Sequence, residues 1–282
     1  MSTRHYAVIG HPIGHTMSPF IHKRLFELSG IDAEYTWLDI PPEQLAAAYA
    51  DTLRGLDGYN ITIPHKQAII PLLDALDERA QMVGSVNTVK NSGGKSTGFT
   101  TDGIGFAKAL EAAGIEPEGR IMILGCGGAA RAIAFELAQR GKPFEFAVHR
   151  RSVGRAGLLC LDITRKIPDA QVSFGLMEQI IGTVDLLINA TPVGMYPHVD
   201  EQPIHNCAIG RCGAVFDAIY NPLETALVKR ARANGSKAES GMSMLVWQAV
   251  AAHEIWDGSV YDPQDIRQLC RDAADALAGK TS

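Results

Sequence analysis

The sequence predicts a mixed α/β protein built in two successive cycles of strand and helix. Three observations predict it. Short apolar runs alternate with segments of helical spacing along nearly the whole chain. A glycine-rich string, Gly125-Cys126-Gly127-Gly128-Ala129-Ala130, separates one such run from the helix behind it. The length, 282 residues, suits roughly two domains at about 150 residues each.

The first cycle opens with residues 6–10, Tyr-Ala-Val-Ile-Gly, an apolar run closed by glycine and read as a buried strand. Ser18-Pro19 then opens a helix, with serine as N-cap and proline at the first helical position. Phe20, Ile21, Leu25 and Leu28 recur at helical spacing as far as Gly30. Residues 35–40 read as a second strand, 42–53 as a second helix and 59–63 as a third strand. Residues 71–82 read as mostly helical. The runs 86–90 and 96–100 flank Ser92-Gly93-Gly94, a hairpin signal.

The second cycle starts at Arg120. Residues 121–124 form a buried-strand run, and 131–140 continue as a helix ended by Gly141. Residues 144–148, 184–189 and 214–217 read as strands and 223–233 as a helix. Residues 244–256 and 263–278 close the chain as two helices, which pattern alone assigns to neither domain. The boundary between the cycles falls near residues 101–105.

Composition excludes several classes. Hydrophobic residues make up 46% and charged residues 20%, which suits a folded chain and not a disordered one. A net charge of −5 does not give a broad nucleic-acid footprint. Behind Arg4 and His5 there is no apolar core of a secretory signal, and no apolar run approaches the about 18 residues of a membrane span. The cysteines Cys126, Cys160, Cys207, Cys212 and Cys270 are odd in number and widely spread, which fits reduced thiols of a cytoplasmic protein. His205, Cys207 and Cys212 have no fourth ligand in register, so no metal is expected.

A glycine-rich turn between strand and helix permits a tight bend, lets a phosphate approach bare backbone and aims helix N–H groups at the anion. Gly125, Gly127, Gly128, Ala129 and Ala130 supply such a turn directly after Ile121-Met122-Ile123-Leu124. That context points to dinucleotide binding. The end of the next strand selects the dinucleotide. It carries His149, Arg150 and Arg151, with no carboxylate for a ribose 2′-hydroxyl. Two guanidiniums suit a 2′-phosphate, so NADP is favoured over NAD.

The first cycle gathers polar residues at strand ends, where open α/β sheets carry their ligands. In residues 60–66, Asn60 and Thr62 share one strand face and Ile61 and Ile63 the other. Lys66 follows Pro64. Thr16 and Ser18 stand at a helix start, where two hydroxyls and helix N–H groups suit a carboxylate. Asn87 follows Val86, and Asp102 lies at the boundary between the cycles. Each also has a plain structural reading: Ser18 or Asp102 as an N-cap, Asn60 and Thr62 as strand-edge residues, Lys66 as a surface lysine. His11 and His65 read as structural or exposed.

At these residues the sequence resembles the shikimate dehydrogenases. Thr16-Met17-Ser18-Pro19 is similar to that family's Ser-x-Ser-Pro, and residues 60–66 to its Asn-Val-Thr-Val-Pro-x-Lys. Val86-Asn87-Thr88, Thr101-Asp102-Gly103, the glycine string, Asn189-Ala190-Thr191-Pro192-x-Gly194-Met195, Tyr220-Asn221-Pro222 and Met244-Leu245-x-x-Gln248 match as they stand. The resemblance spans nearly the whole chain.

The resemblance implies an NADP-linked oxidoreductase that interconverts 3-dehydroshikimate and shikimate for aromatic amino acid biosynthesis; the cysteine pattern suits the cytoplasm, and the sequence leaves monomer and homodimer both open. It implies an N-terminal α/β substrate domain, residues 1–102 completed by 241–282, and a Rossmann-type cofactor domain, residues 103–240. The C-terminal helices would pack back on the first domain. Thr16 and Ser18 would hold the substrate carboxylate, and Thr62, Asn87, Asp102, Tyr220 and Gln248 would line the ring. Lys66 and Asp102 would be the catalytic pair. Gly125, Gly127, Gly128, Ala129, Arg150 and Gly241 would meet the cofactor, as would Ala218 through its backbone.

The chain departs from the family pattern at four places. Thr16 replaces a serine, Thr100 replaces the asparagine before Thr-Asp-Gly, and His149-Arg150-Arg151 replaces Asn-Arg-Thr or Asn-Arg-Ser. Ser240-Gly241-Met242-Ser243-Met244 replaces Asp-Gly-x-Gly-Met. The first and third leave open a paralogue acting on quinate or aminoshikimate, with NAD as its cofactor. A non-catalytic nucleotide-binding regulator is a third reading, against which stand the intact Lys66 and Asp102.

Overall fold

A computed structural model describes residues 3–14 and 16–280. The chain divides into two compact units: Met1–Thr101 with Val246–Gly279, and Asp102–Leu245 with 280–282.

The first unit contains β1 (Arg4–Gly10), α1 (Ser18–Ser29), β2 (Ala33–Asp39), α2 (Leu45–Asp51), β3 (Gly58–Ile61), α3 (His65–Ala68), β4 (Ala75–Leu76), α4 (Glu78–Val83), β5 (Thr88–Ser92) and β6 (Lys95–Phe99). Its sheet runs β2-β1-β3-β5-β6-β4. β1 pairs in parallel with β2 and β3, and β5 pairs antiparallel with β3 and β6. Alternation along β1 and β3 sends Ala7, Ile9, Tyr59 and Ile61 into one core with Leu45 and Leu53. Tyr6 faces the other side and packs with Phe26 and Trp256.

The second unit contains α5 (Asp102–Ala113), β7 (Ile121–Leu124), α6 (Gly128–Gln139), β8 (Phe144–Val148), α7 (Val153–Lys166), β9 (Val172–Leu176), β10 (Val184–Asn189), α8 (Asn206–Ile209), β11 (Cys212–Asp217), α9 (Ala226–Ala233) and β12 (Lys237–Ser240). All pairs in its sheet are parallel, in the order β12-β11-β10-β7-β8-β9. This is the doubly wound order, whose direction reverses between β7 and β10. Helices cover both faces of such a sheet, and its central strands are accordingly continuous apolar runs. Ile121, Met122, Ile123, Leu124, Leu186, Leu187 and Ile188 are all buried.

Two helices end the chain. α10 (Gly241–Asp257) begins in the second unit and lies mostly in the first, and α11 (Pro263–Lys280) follows. Trp256 of α10 locks onto the first sheet. Its Nε1 donates to Val89 O at 2.9 Å, and a Cβ at Gly58 would stand 2.5 Å from that nitrogen.

The α/β architecture agrees with the sequence expectation, with local corrections. Residues 71–82 are not one helix. A 3-10 turn (Ile70–Leu72), β4 and α4 share that stretch. Asp74 Oδ2 accepts from Ser96 N at 2.8 Å, and Asp77 caps α4 by accepting from Ala80 N at 2.8 Å. Short acceptors that bind backbone N–H groups in this way break helices rather than continue them. The helix expected over 42–53 begins as a 3-10 turn (Pro42–Gln44), and α9 starts only after Thr225, its true N-cap. Nor is Ser18 a side-chain cap. Met17 holds the cap position, and Thr16 Oγ1 accepts from Ser18 N at 3.2 Å.

Candidate functional site

In the first unit the parallel β1 and β3 end on the same edge of the sheet. Packing is close there: a Cβ at Gly10 would stand 2.5 Å from Thr62 Cγ2 and 3.1 Å from Ile63 O. Thr62 N donates to Ile9 O at 2.9 Å, and His65 N donates to Thr62 O at 3.0 Å, turning the chain into α3. Lys66 O then accepts from Val86 N at 2.8 Å, which places Lys66 beside the stem of Asn87. His65 is buried, its Nε2 2.6 Å from Ile40 O, and His11 meets Asp39 at 2.6 Å.

A continuous hydrogen-bonded series crosses this edge. Thr16 Oγ1 donates to Ser18 Oγ at 3.1 Å. Ser18 bonds the Tyr35 hydroxyl, which donates to Asn60 Oδ1 at 2.7 Å. Asn60 Nδ2 reaches Thr88 Oγ1 at 3.1 Å and Asn87 O at 3.3 Å. Asn87 Oδ1 accepts from Thr101 N at 2.8 Å, and its Nδ2 donates to Thr101 Oγ1 at 2.9 Å and Gln248 Oε1 at 3.2 Å. The fold thus gathers Thr16, Ser18, Thr62, Lys66, Asn87 and Gln248 within one unit. Tyr35, Thr88 and Thr101 join them; Tyr35 and Thr88 lie in strand-like runs that give no polar signal, and Thr101 follows the end of one. Burial pushes the Tyr35 phenol well above its ordinary range, opposed by the Ser18 bond. The series is neutral hydroxyls and amides, and the Lys66 backbone lies beside its Asn87 stem. Hydroxyls and amides of this kind have the donor and acceptor chemistry that suits a small, polyhydroxylated ligand.

Behind Tyr35 lies a stack of histidines. The His22 ring lies 4.2 Å from it, at 4° to its plane. His22 Nδ1 is 3.1 Å from His253 Nε2, and His253 Nδ1 is 2.8 Å from the Tyr261 hydroxyl. Burial lowers both imidazoles, His253 to about 3.

The second unit holds Asp102, Tyr220 and the glycine loop. Asp102 is buried and begins α5. Gly125 has φ +92, and a Cβ there would stand 2.9 Å from Thr191 Cγ2, so glycine is required. Around Gly127 and Gly128 an added Cβ would meet only open space. Gly127 caps α6 with no side chain, and the first helical bond is Arg131 N to Gly127 O at 2.9 Å. The N–H groups of residues 128–130 therefore have no acceptor within the helix. Ala130 is fully buried behind the turn. An open cradle of bare backbone at a helix N-terminus, at the reversal point of the sheet, fits the pyrophosphate of a dinucleotide.

His149, Arg150 and Arg151 stand exposed at the end of β8. The fold also brings Glu178 to within 3.6 Å of Arg150, a carboxylate that local sequence does not reveal. Arg155 of α7 reaches the cradle, where its charge opposes the upward push of burial on the Cys126 thiol. Beyond β11, Gly241 N donates to Ile219 O at 3.0 Å, and a Cβ at Gly241 would stand 2.3 Å from Ala218 O. Tyr220 follows, its phenol raised by burial. All five cysteines are free thiols, and among the described residues no helix is long and apolar enough to cross a membrane.

The model of the shikimate dehydrogenase substrate binding domain matches residues 8–89. The chain is 39% identical over 267 residues to a shikimate dehydrogenase (NADP(+)) of Bacillus cereus strain G9842, covering 94% of this chain and 96% of that one. It is 41% identical over 263 residues to a protein of the same name from Methanocaldococcus jannaschii, covering 91% and 92%. A Thermus thermophilus shikimate 5-dehydrogenase, solved in complex with NADP(H) and shikimate, superposes with a TM-score of 0.84 at 33% identity, covering 96% of this chain and 100% of that one. With a relative this similar along nearly its full length, the chain belongs to the shikimate dehydrogenase family.

Proposed function

We propose that this protein is an NADP-dependent shikimate dehydrogenase that reduces 3-dehydroshikimate reversibly to shikimate in the cytoplasm. The observation that carries the reading is the series from Thr16 to Gln248. A cyclohexene acid with three oxygens on its ring needs such a set of neutral donors and acceptors, and the two hydroxyls at the start of α1 suit its carboxylate. The substrate domain is residues 1–102 completed by 241–282, and the cofactor domain is residues 103–240.

NADPH, when bound, supplies the hydride. Gly125, Gly127, Gly128, Ala129 and Ala130 hold its pyrophosphate. His149, Arg150 and Arg151 hold its 2′-phosphate, and the Ala218 backbone and Gly241 hold its far end. As the ketone carbon accepts hydride, negative charge grows on its oxygen. The Lys66 ammonium stabilises that charge and donates the proton, and Asp102 supplies the carboxylate of the pair. Thr16 and Ser18 anchor the carboxylate, and Thr62, Asn87, Tyr220 and Gln248 fix the ring so that one face meets the hydride.

The test is initial-rate oxidation of shikimate and of quinate, each with NADP+ and NAD+, followed at the nicotinamide absorbance. A large preference for shikimate with NADP+ supports the reading, and turnover of neither acid overturns it. Thr16, whose methyl narrows the carboxylate end, favours a second reading, a quinate or aminoshikimate dehydrogenase. Faster turnover of quinate would establish that reading.

A further inference from the structure

Asp217, the last residue of β11, is fully buried, and the partners of its carboxylate among the described residues are all neutral. Three donors converge on it. Thr225 Oγ1 donates to Oδ2 at 2.6 Å, while Asn189 Nδ2 at 3.0 Å and Ile219 N at 3.1 Å donate to Oδ1. Each donor belongs to a different piece of the unit: the start of α9, the end of β10, and the turn that leaves β11. Burial raises the carboxyl to about 6 against these bonds. A carboxylate held at that cost calls for a role beyond filling the core.

The bonds continue outward from Asn189. Its Oδ1 accepts from Thr191 Oγ1 at 2.7 Å and Thr191 N at 3.1 Å. Thr191 Oγ1 accepts from Val193 N at 3.2 Å. A second tie, Tyr196 N to Asn221 O at 3.0 Å, joins the same two loops. The Asp217 carboxylate is therefore the hub that fixes residues 190–196 against residues 218–221, at the carboxyl ends of β10 and β11.

The sheet order says what lies there. In a doubly wound sheet one half of the dinucleotide occupies each half of the strand set, and the pyrophosphate sits at the reversal point. With the cradle after β7 and the basic residues after β8 taking the adenosine half, the other half falls over β10 and β11. We propose that Asp217 is a positioning residue for the nicotinamide half of the cofactor, acting through the Ile219 N–H and through Asn189. This rests on the proposed function of the unit.

Calorimetric titration of the full chain with NADP+ and with adenosine 2′,5′-bisphosphate separates the two halves. Asp217→Ala is expected to weaken NADP+ by about tenfold or more and to leave the bisphosphate within about twofold. Asp217→Asn keeps an acceptor toward Ile219 and Asn189 and is expected to restore most of the difference. Should Asp217→Ala not fold, Thr225→Val frees Oδ2 and is expected to show the same selective loss, smaller in size. Equal weakening of both ligands, or of neither, would overturn the positioning role. Wild-type protein that binds neither ligand would overturn the cofactor reading of the unit and this inference with it.

Discussion

Asn87 Nδ2 donates to Gln248 Oε1 across 161 residues of sequence, at 3.2 Å. Thr101 Oγ1 donates to the same oxygen at 3.4 Å. Gln248 is thus oriented by two donors on one side of its amide, which presents its Nε2 as a donor on the other. Replacing Gln248 with leucine removes that donor and leaves Asn87 one acceptor short. The expected loss is about 10- to 100-fold in kcat/KM for shikimate, the worth of a buried hydrogen bond and its orphaned partner. KM for NADP+ should not change. Steady-state kinetics with each substrate varied in turn checks both, and an equal rise in the two KM values would sink the assignment.

The Lys66 backbone is held by its bond to Val86 N, which a change of side chain does not remove. Lys66→Met is expected to lower kcat by about 10²- to 10⁴-fold, the range of a lost acid catalyst, and to change shikimate KM only a few-fold. A rise in KM with kcat intact would mean that Lys66 binds and does not catalyse.

Arg150 and Arg151 are exposed, and Arg150 shares its guanidinium with Glu178. Exposed pairs of this kind contribute little, so the arginine can turn to a phosphate. Arg150→Ala with Arg151→Ala is expected to raise KM for NADP+ by about 10- to 100-fold while leaving NAD+ nearly unaffected. Glu178→Gln should lower KM for NADP+ modestly. Indifference of the double variant to the 2′-phosphate would place that group elsewhere.

The buried histidines predict an acid limit to stability. His253 titrates near 6.5 when unfolded and at about 3 when folded, and His22 is lowered in the same direction. A base whose folded value is depressed stabilises the protein above its unfolded value. That stability is lost as pH falls from about 6.5 toward the folded value. The facing groups are the Tyr261 hydroxyl at 2.8 Å and Asp257 at 3.9 Å. Asp217 acts with the opposite sign: its raised value favours the folded state as pH falls through about 6. Urea unfolding of wild type and His253→Phe from pH 7 to pH 4 should show a shallower acid decline in the variant. Parallel curves would mean that the histidines do not govern it.

The fold was legible where burial is symmetrical. Residues 121–124 are a central parallel strand, apolar on both faces, and Leu186, Leu187 and Ile188 carry the same pattern in the neighbouring strand; both runs stand out in the sequence. β9 and β12 do not. Val-Ser-Phe-Gly-Leu and Lys-Ala-Glu-Ser are edge strands with one neighbour each, and nothing in their composition forces a strand. The cap at α1 misled because Thr16 supplies to Ser18 the oxygen that Ser18 itself was expected to supply. Within the candidate site, Thr16, Ser18, Asn60 and Asn87 could be singled out individually by residue type and strand position. Their joining through Tyr35 could not, and neither could the Asn189–Asp217 pair, because each link spans residues far apart in sequence.

Trp256 gives the chain an order of assembly. The second unit is contiguous from Asp102 to Leu245 and can close once that stretch has left the ribosome. The first unit, begun earlier, cannot. Gly58 lacks its covering indole, and the Val89 carbonyl lacks the donor that comes 167 residues later, until α10 is synthesised. The first unit, begun before the second, is therefore completed only after it, and its sheet keeps that face open until α10 arrives to cover it.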